Sequence, residues 1–259
     1  MVMKKTGLPT VLLLVATLLQ NPLNAEQNPP YLMLFAASSL SDVMADLSAS
    51  FTKRSGIVVR SNLGSSGTLA RQMEQGAPVD VFVSASEEWM DHVQKMGLVD
   101  TKTITRIASN ALVFIAPRQS SLTIKGVDSS LALLPLLGSG RLSMGEPAHV
   151  PAGSYGREAL LYFGWYEQLK PRILAAKDVR SALMVVELGE APLGIVFKTD
   201  ALKSQKVRIV ATIPPRSHKP IVYLAASAPG SMVGKRFIGF INQAPTDSLW
   251  LNHGFTLKN

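Results

Sequence analysis

Apolar residues fall into two alternating patterns along this chain: short unbroken runs, and stripes that recur every three or four positions. Tyr31 to Ala37, YLMLFAA, is an unbroken run of the kind that buried parallel strands show. The next segment, SSLSDVMADLSASFTKRSG, puts Leu40, Val43, Met44, Leu47 and Phe51 on one helical face. Ser39 and Asp42 have the spacing of a capping pair, and Gly56 suits the far end of that helix. The alternation continues with a strand over 57–63, a helix over 67–76, a strand over 79–85 and a helix over 87–97. Strands are then expected at 111–117 and 141–145, and helices at 156–165 and 178–190. Strands at 191–197, 207–213 and 221–227 follow, with one or two helices after Met232. Strand–helix alternation predicts an α/β fold with mainly parallel pairing.

The pattern divides into two α/β halves of about a hundred residues each, an ordinary domain size. No low-complexity linker separates them, so the chain is expected to cross between the halves more than once. A ligand would then sit in the cleft between them.

Composition narrows the class. Of 259 residues, 47% are hydrophobic and 17% charged, enough for a sizeable core and against disorder. Lys4 and Lys5, the apolar stretch from Leu8 to Leu19 and the small residue ending Leu23-Asn24-Ala25 read as a cleavable signal peptide over 1–25. The chain has no cysteine. That excludes disulfides, thiolate metal sites, a catalytic thiol and a lipid-modified cysteine after the signal. The formal charge of +8 is scattered. Basic clusters such as PPRSHKP (214–220) lack interleaved aromatics, so nucleic acid is not an expected partner.

Four segments share one plan, in which small or polar residues lead into a helix. They are AASSLSD (36–42), LGSSGTL (63–69), HVPAGSYG (149–156) and KDVRSAL (177–183). A helix start exposes unpaired N–H groups and partial positive charge, which suits an anion. Serine hydroxyls add donors, and glycine or alanine lets an anion approach the backbone. Any one such segment is also an ordinary cap. Enzyme motifs fit less well. GSSG has neither nucleophile-elbow spacing nor the Gly-Lys-Ser/Thr ending of a phosphate loop. His92, His149, His218 and His253 are too dispersed for a spaced metal pair.

Five stretches together resemble the periplasmic molybdate-binding proteins of ABC importers. They are LFAASSLSDVMADL, GSSGTLARQMEQGAPVDVFVSASEEWMD, GEPAHVPAGSYGREAL, DVRSALMVVELGEAPLGIVF and the closing HGF. The resemblance runs from about residue 32 to the C-terminus, in the family's order. It implies a two-lobed type II periplasmic-binding-protein fold with a ligand cleft between the lobes. The expected division is 26–109 with 222–259 in one lobe and 110–221 in the other. The implied ligand is tetrahedral molybdate or tungstate, held only by neutral donors. Carried over residue by residue, the implied site is Ser39, Ser66, Ala152, Val179 and Phe197. The family has a tyrosine where this chain has Phe197, so one hydroxyl donor is missing.

The resemblance implies no cofactor, no cation ligands and no enzymatic activity. It implies a monomer in the periplasm that serves an ABC permease and ATPase. Two alternatives stand beside it. One is a binding protein for sulfate or phosphate; a protonated phosphate would need an acceptor, with Asp42 and Asp178 as candidates. The other is an exported serine hydrolase using Ser66 with His149.

Overall fold

The computed structural model describes Met1, Val2 and residues 30–257. The signal-peptide reading lies almost wholly outside the described residues. In chain order the elements are β1 (Tyr31–Ala37), α1 (Ser41–Ser55), β2 (Val58–Gly64), α2 (Ser66–Glu74), β3 (Val81–Ser84), α3 (Glu87–Lys95) and β4 (Thr105–Ser109). They continue as β5 (Leu112–Pro117), α4 (Leu133–Leu137), β6 (Leu142–Gly145), α5 (Pro151–Tyr162), α6 (Tyr166–Leu169), β7 (Ile173–Ala176), α7 (Val179–Glu187) and β8 (Leu193–Phe197). Last come α8 (Lys198–Lys203), β9 (Val207–Thr212), β10 (Val222–Ser227), α9 (Met232–Ile241) and α10 (Asp247–Asn252).

The strands form two five-stranded sheets, ordered β2-β1-β3-β10-β4 and β7-β6-β8-β5-β9. The chain passes between sheets at Asn110–Ala111, between β4 and β5, and returns between β9 and β10. Pairing is evenly mixed rather than mainly parallel. β1 pairs with β2 and β3 in parallel, as β6 does with β7 and β8. β10 runs antiparallel to β3 and β4, and β5 antiparallel to β8 and β9. The physical reason is the double crossing. β10 enters the first sheet from the other half of the molecule, not through a right-handed helical crossover, so nothing compels it to run parallel.

Local chemistry explains most of the elements. The α1 stripe of Leu40, Val43, Met44, Leu47 and Phe51 is buried, each residue at most 2% exposed. That helix ends at Gly56, whose φ is +73°. The Ser65 hydroxyl caps α2 by accepting from the Thr68 N–H at 3.1 Å. Asp178 caps α7, accepting from the Ser181 N–H at 2.8 Å.

Two local readings are overturned. Ser39 and Asp42 do not form a capping pair: α1 has no side-chain cap, and both side chains reach distant partners. The helix expected at 156–165 begins five residues earlier, at Pro151. Proline suits a first helical position, and Gly153 and Gly156 lie inside the helix despite their poor helix propensity. Their place is set by packing: a Cβ on Gly153 would stand 2.1 Å from the carbonyl oxygen of Gly145 at the end of β6.

Candidate functional site

The first turns of α2, α5 and α7 and the short 3-10 turn before α1 converge on one small cavity. Ala37, Ser38, Ser39, Gly64, Ser65, Ser66 and Ala85 line it from the side of the first sheet. Val150, Pro151, Ala152, Val179 and Phe197 line it from the side of the second. All five residues singled out from the sequence, Ser39, Ser66, Ala152, Val179 and Phe197, are thus brought together. No charged side chain is among the lining residues. Neither Asp42 nor Asp178 reaches the cavity wall. The cavity is far smaller than the pockets of roughly 300–1,000 Å³ that take drug-sized molecules.

Each wall residue has a definable hydrogen-bonding role. Ser66 is the first residue of α2 and is fully buried. Its Oγ accepts from the Ala85 N–H at 3.0 Å, which leaves its own proton free for the cavity. Ser39 lies in the short 3-10 turn before α1, 3% exposed, with its Oγ 3.0 Å from the Tyr223 hydroxyl. Ala152 and Val179 sit in the first turns of α5 and α7, where the helix offers their N–H groups no acceptor. Those N–H groups carry the positive end of the helix dipole. Phe197, 1% exposed, ends β8. Its ring lies between Tyr155 and Tyr223, with centroids 6.3 Å and 6.0 Å away. It offers the cavity an apolar wall and no donor.

The surroundings of GSSG differ from the sequence reading in two ways. Gly67 does not open the backbone to a ligand. A Cβ there would stand 2.4 Å from the Trp89 ring and 2.7 Å from the His149 carbonyl oxygen. The glycine is needed because the His149 loop comes close enough for the Gly67 N–H to donate to that carbonyl at 3.1 Å. Second, His149 meets Ser65, not Ser66: its Nδ1 is 3.0 Å from Ser65 Oγ. Burial, helped by the charge of Arg71, pushes the His149 pKa down. Ser66 therefore has no histidine partner, and the hydrolase pairing has no geometric basis.

One contact between the lobes is invisible in the sequence pattern. Arg180, beside Val179 on α7, is paired with Asp42 on α1 and, at 2.5 Å, with fully buried Asp200 on α8. Burial pushes Asp200 up to about 7, against the pull of Arg180. Burial also tends to raise Asp42, but the Arg180 hydrogen bond and charge together hold it below the usual carboxylate range. Spacing alone could not reveal a pair 138 residues apart.

Comparisons with known proteins identify the fold and the family. The bacterial extracellular solute-binding protein family matches residues 32–256. The molybdate-binding protein ModA of Escherichia coli (strain K12) is 41% identical over 237 residues, covering 91% of this chain and 92% of that protein. ModA of Haemophilus influenzae is 39% identical, covering 87% of this chain and 89% of that protein. Among solved structures, the Azotobacter vinelandii periplasmic molybdate-binding protein superposes with a TM-score of 0.77 at 22% identity, covering 88% of this chain and all of that one. The sulfate-binding protein SubI of Mycobacterium tuberculosis superposes at 0.71 with 18% identity, covering 87% and 86%. Those two likenesses establish the two-lobed periplasmic-binding-protein fold, which serves more than one ligand. With sequence match, fold and inter-lobe cavity in accord, the chain belongs to the family of bacterial extracellular solute-binding proteins.

Proposed function

We propose that this protein captures molybdate or tungstate outside the cytoplasm and delivers it to the permease and ATPase of an ABC importer. The observation that carries the reading is the small, charge-free cavity at three converging helix N-termini, whose wall includes Ser39, Ser66, Ala152, Val179 and Phe197. Ser39 and Ser66 donate hydroxyl protons, Ala152 and Val179 donate backbone N–H groups, and Phe197 closes the wall. Backbone dipoles spread the dianion's charge, so no lysine or arginine is needed. A wall without a carboxylate or other charged acceptor disfavours an oxyanion that must itself donate a proton. A rigid cavity sized for the larger anion leaves sulfate with long hydrogen bonds. The 41% identity to a protein named for molybdate binding supports the same ligand class.

In this reading residues 1–25 are a signal peptide that sends the protein to the periplasm. Residues 26–109 with 222–259 form one lobe and 110–221 the other. The lobes hinge at the two crossings, and the protein works as a monomeric carrier without catalysis. Thermal unfolding of the mature protein tests it. A ligand that binds only the folded state adds RT ln(1 + [L]/Kd) to stability. Molybdate and tungstate should raise the unfolding temperature clearly more than sulfate or phosphate at equal concentration. A larger rise with sulfate would assign the cavity to that anion instead.

A further inference from the structure

Tyr223 lies wholly buried on β10 and is not among the residues that line the cavity. Its hydroxyl is 3.0 Å from Ser39 Oγ and 3.1 Å from Asn110 Nδ2. Asn110 sits in the two-residue crossing between the sheets, and the orientation of its amide is fixed. The Ala111 N–H donates to Asn110 Oδ1 at 2.9 Å. The amide nitrogen therefore faces Tyr223 and also donates to Thr199 Oγ1 at 2.8 Å, from the second lobe.

An amide NH₂ can only donate. The Tyr223 oxygen consequently accepts from Asn110, and its single proton goes to Ser39 Oγ. Burial drives the tyrosine pKa far up, so that proton is retained. Ser39 accepts from Tyr223, and its own proton is left for the cavity. Reversing Ser39, so that it accepted from a ligand, would leave a buried hydroxyl proton on Tyr223 or Ser39 without a partner.

We propose that Asn110 and Tyr223 are positioning residues that lock the Ser39 hydroxyl as a donor and so exclude protonated oxyanions such as hydrogen phosphate. The inference rests on the anion-capture reading and adds to it a specificity device at the hinge. Ser66 is held in the same sense by the Ala85 N–H, with no side-chain relay.

Two variants test the relay by calorimetric titration with molybdate and with inorganic phosphate at neutral pH. Asn110→Asp replaces the donor facing Tyr223 with an acceptor. The Tyr223 proton then turns to the carboxylate, the Ser39 proton turns to Tyr223, and a lone pair faces the cavity. The added negative charge weakens both dianions alike. The ratio of phosphate to molybdate affinity should therefore rise, roughly ten-fold, the value of one charge-assisted hydrogen bond gained against one lost. Tyr223→Phe keeps the ring and should weaken molybdate roughly five-fold through the lost orientation of Ser39. In a Ser39→Ala background the same change should cost nothing further, because Tyr223 acts only through Ser39. An unchanged ratio in Asn110→Asp, or a Tyr223→Phe loss that persists without the Ser39 hydroxyl, would overturn the relay. A wild-type protein that prefers phosphate to molybdate would overturn the ligand assignment itself.

Discussion

The two lobes furnish the cavity with donors of different kinds. The first supplies the side-chain hydroxyls of Ser39 and Ser66, and the second the backbone N–H groups of Ala152 and Val179. A backbone donor is aimed by its helix and needs no help. A hydroxyl rotates and can accept as readily as donate, so each serine is held by a second group, Ala85 N–H for Ser66 and Tyr223 for Ser39. Hydroxyl donors thus tie the site to the stability of the fold, whereas backbone donors leave the two separable. The Phe197 wall belongs to the second lobe and supplies shape without a donor.

The largest effect should come from breaking a hydroxyl. Ser66→Ala removes a donor to a dianion, about 1.5–3 kcal/mol of binding, and strands the buried Ala85 N–H, about 1–3 kcal/mol of folding. Titration and chemical denaturation should both register the change. Unchanged stability with weakened binding would show that Ala85 finds another acceptor and that the coupling to the fold is wrong. Val179→Pro is the matching change in the other lobe. Proline is well tolerated at a first helical position, and Asp178 before it is already extended, with φ −158° and ψ 173°. Loss of that N–H should cost about 1.5–3 kcal/mol of binding while the unfolding midpoint of the free protein stays close to wild type. Equal molybdate affinity in this variant would remove Val179 from the site.

Phe197→Tyr sharpens the comparison by giving the second lobe a hydroxyl. If the ring is cavity wall, the new donor should tighten molybdate by on the order of 1 kcal/mol, roughly five-fold. Lower stability with no gain in affinity would instead mark Phe197 as a packing residue whose added hydroxyl is buried unpaired. The smallest effect is expected at the cleft mouth. Asp42 is 42% exposed, so its pair with Arg180 is partly screened. Asp42→Asn should loosen closure by about 0.2–1 kcal/mol, seen as a faster molybdate dissociation rate that converges with wild type at high salt. A rate unchanged at low salt would mean the pair does not hold the lobes together.

Much of this was legible before any coordinates. The α1 stripe, the Asp178 cap and the alternating runs rest on local physics, and local physics can be read from spacing. The resemblance names five of the wall residues, and four of them lie in helix starts that their chemistry also picks out. What could not be read depends on contacts far apart in sequence. Tyr223 meets Ser39 across 184 positions. The antiparallel return of β10 depends on the double crossing, and β4, TRIAS, carries too little apolar pattern to stand out. The start of α5 was misplaced because glycine is a poor helix former, and only the close approach of Gly145 explains Gly153 there.

In the proposed reading, a neutral cavity of hydrogen-bond donors without a charged acceptor selects a large, fully deprotonated tetrahedral dianion. Calorimetric titration of the mature protein with molybdate, tungstate, sulfate and phosphate at one pH and ionic strength tests it most directly. The expected result is one site per chain, tight for molybdate and tungstate, much weaker for sulfate and weakest for phosphate. Phosphate or sulfate binding as tight as molybdate would contradict it.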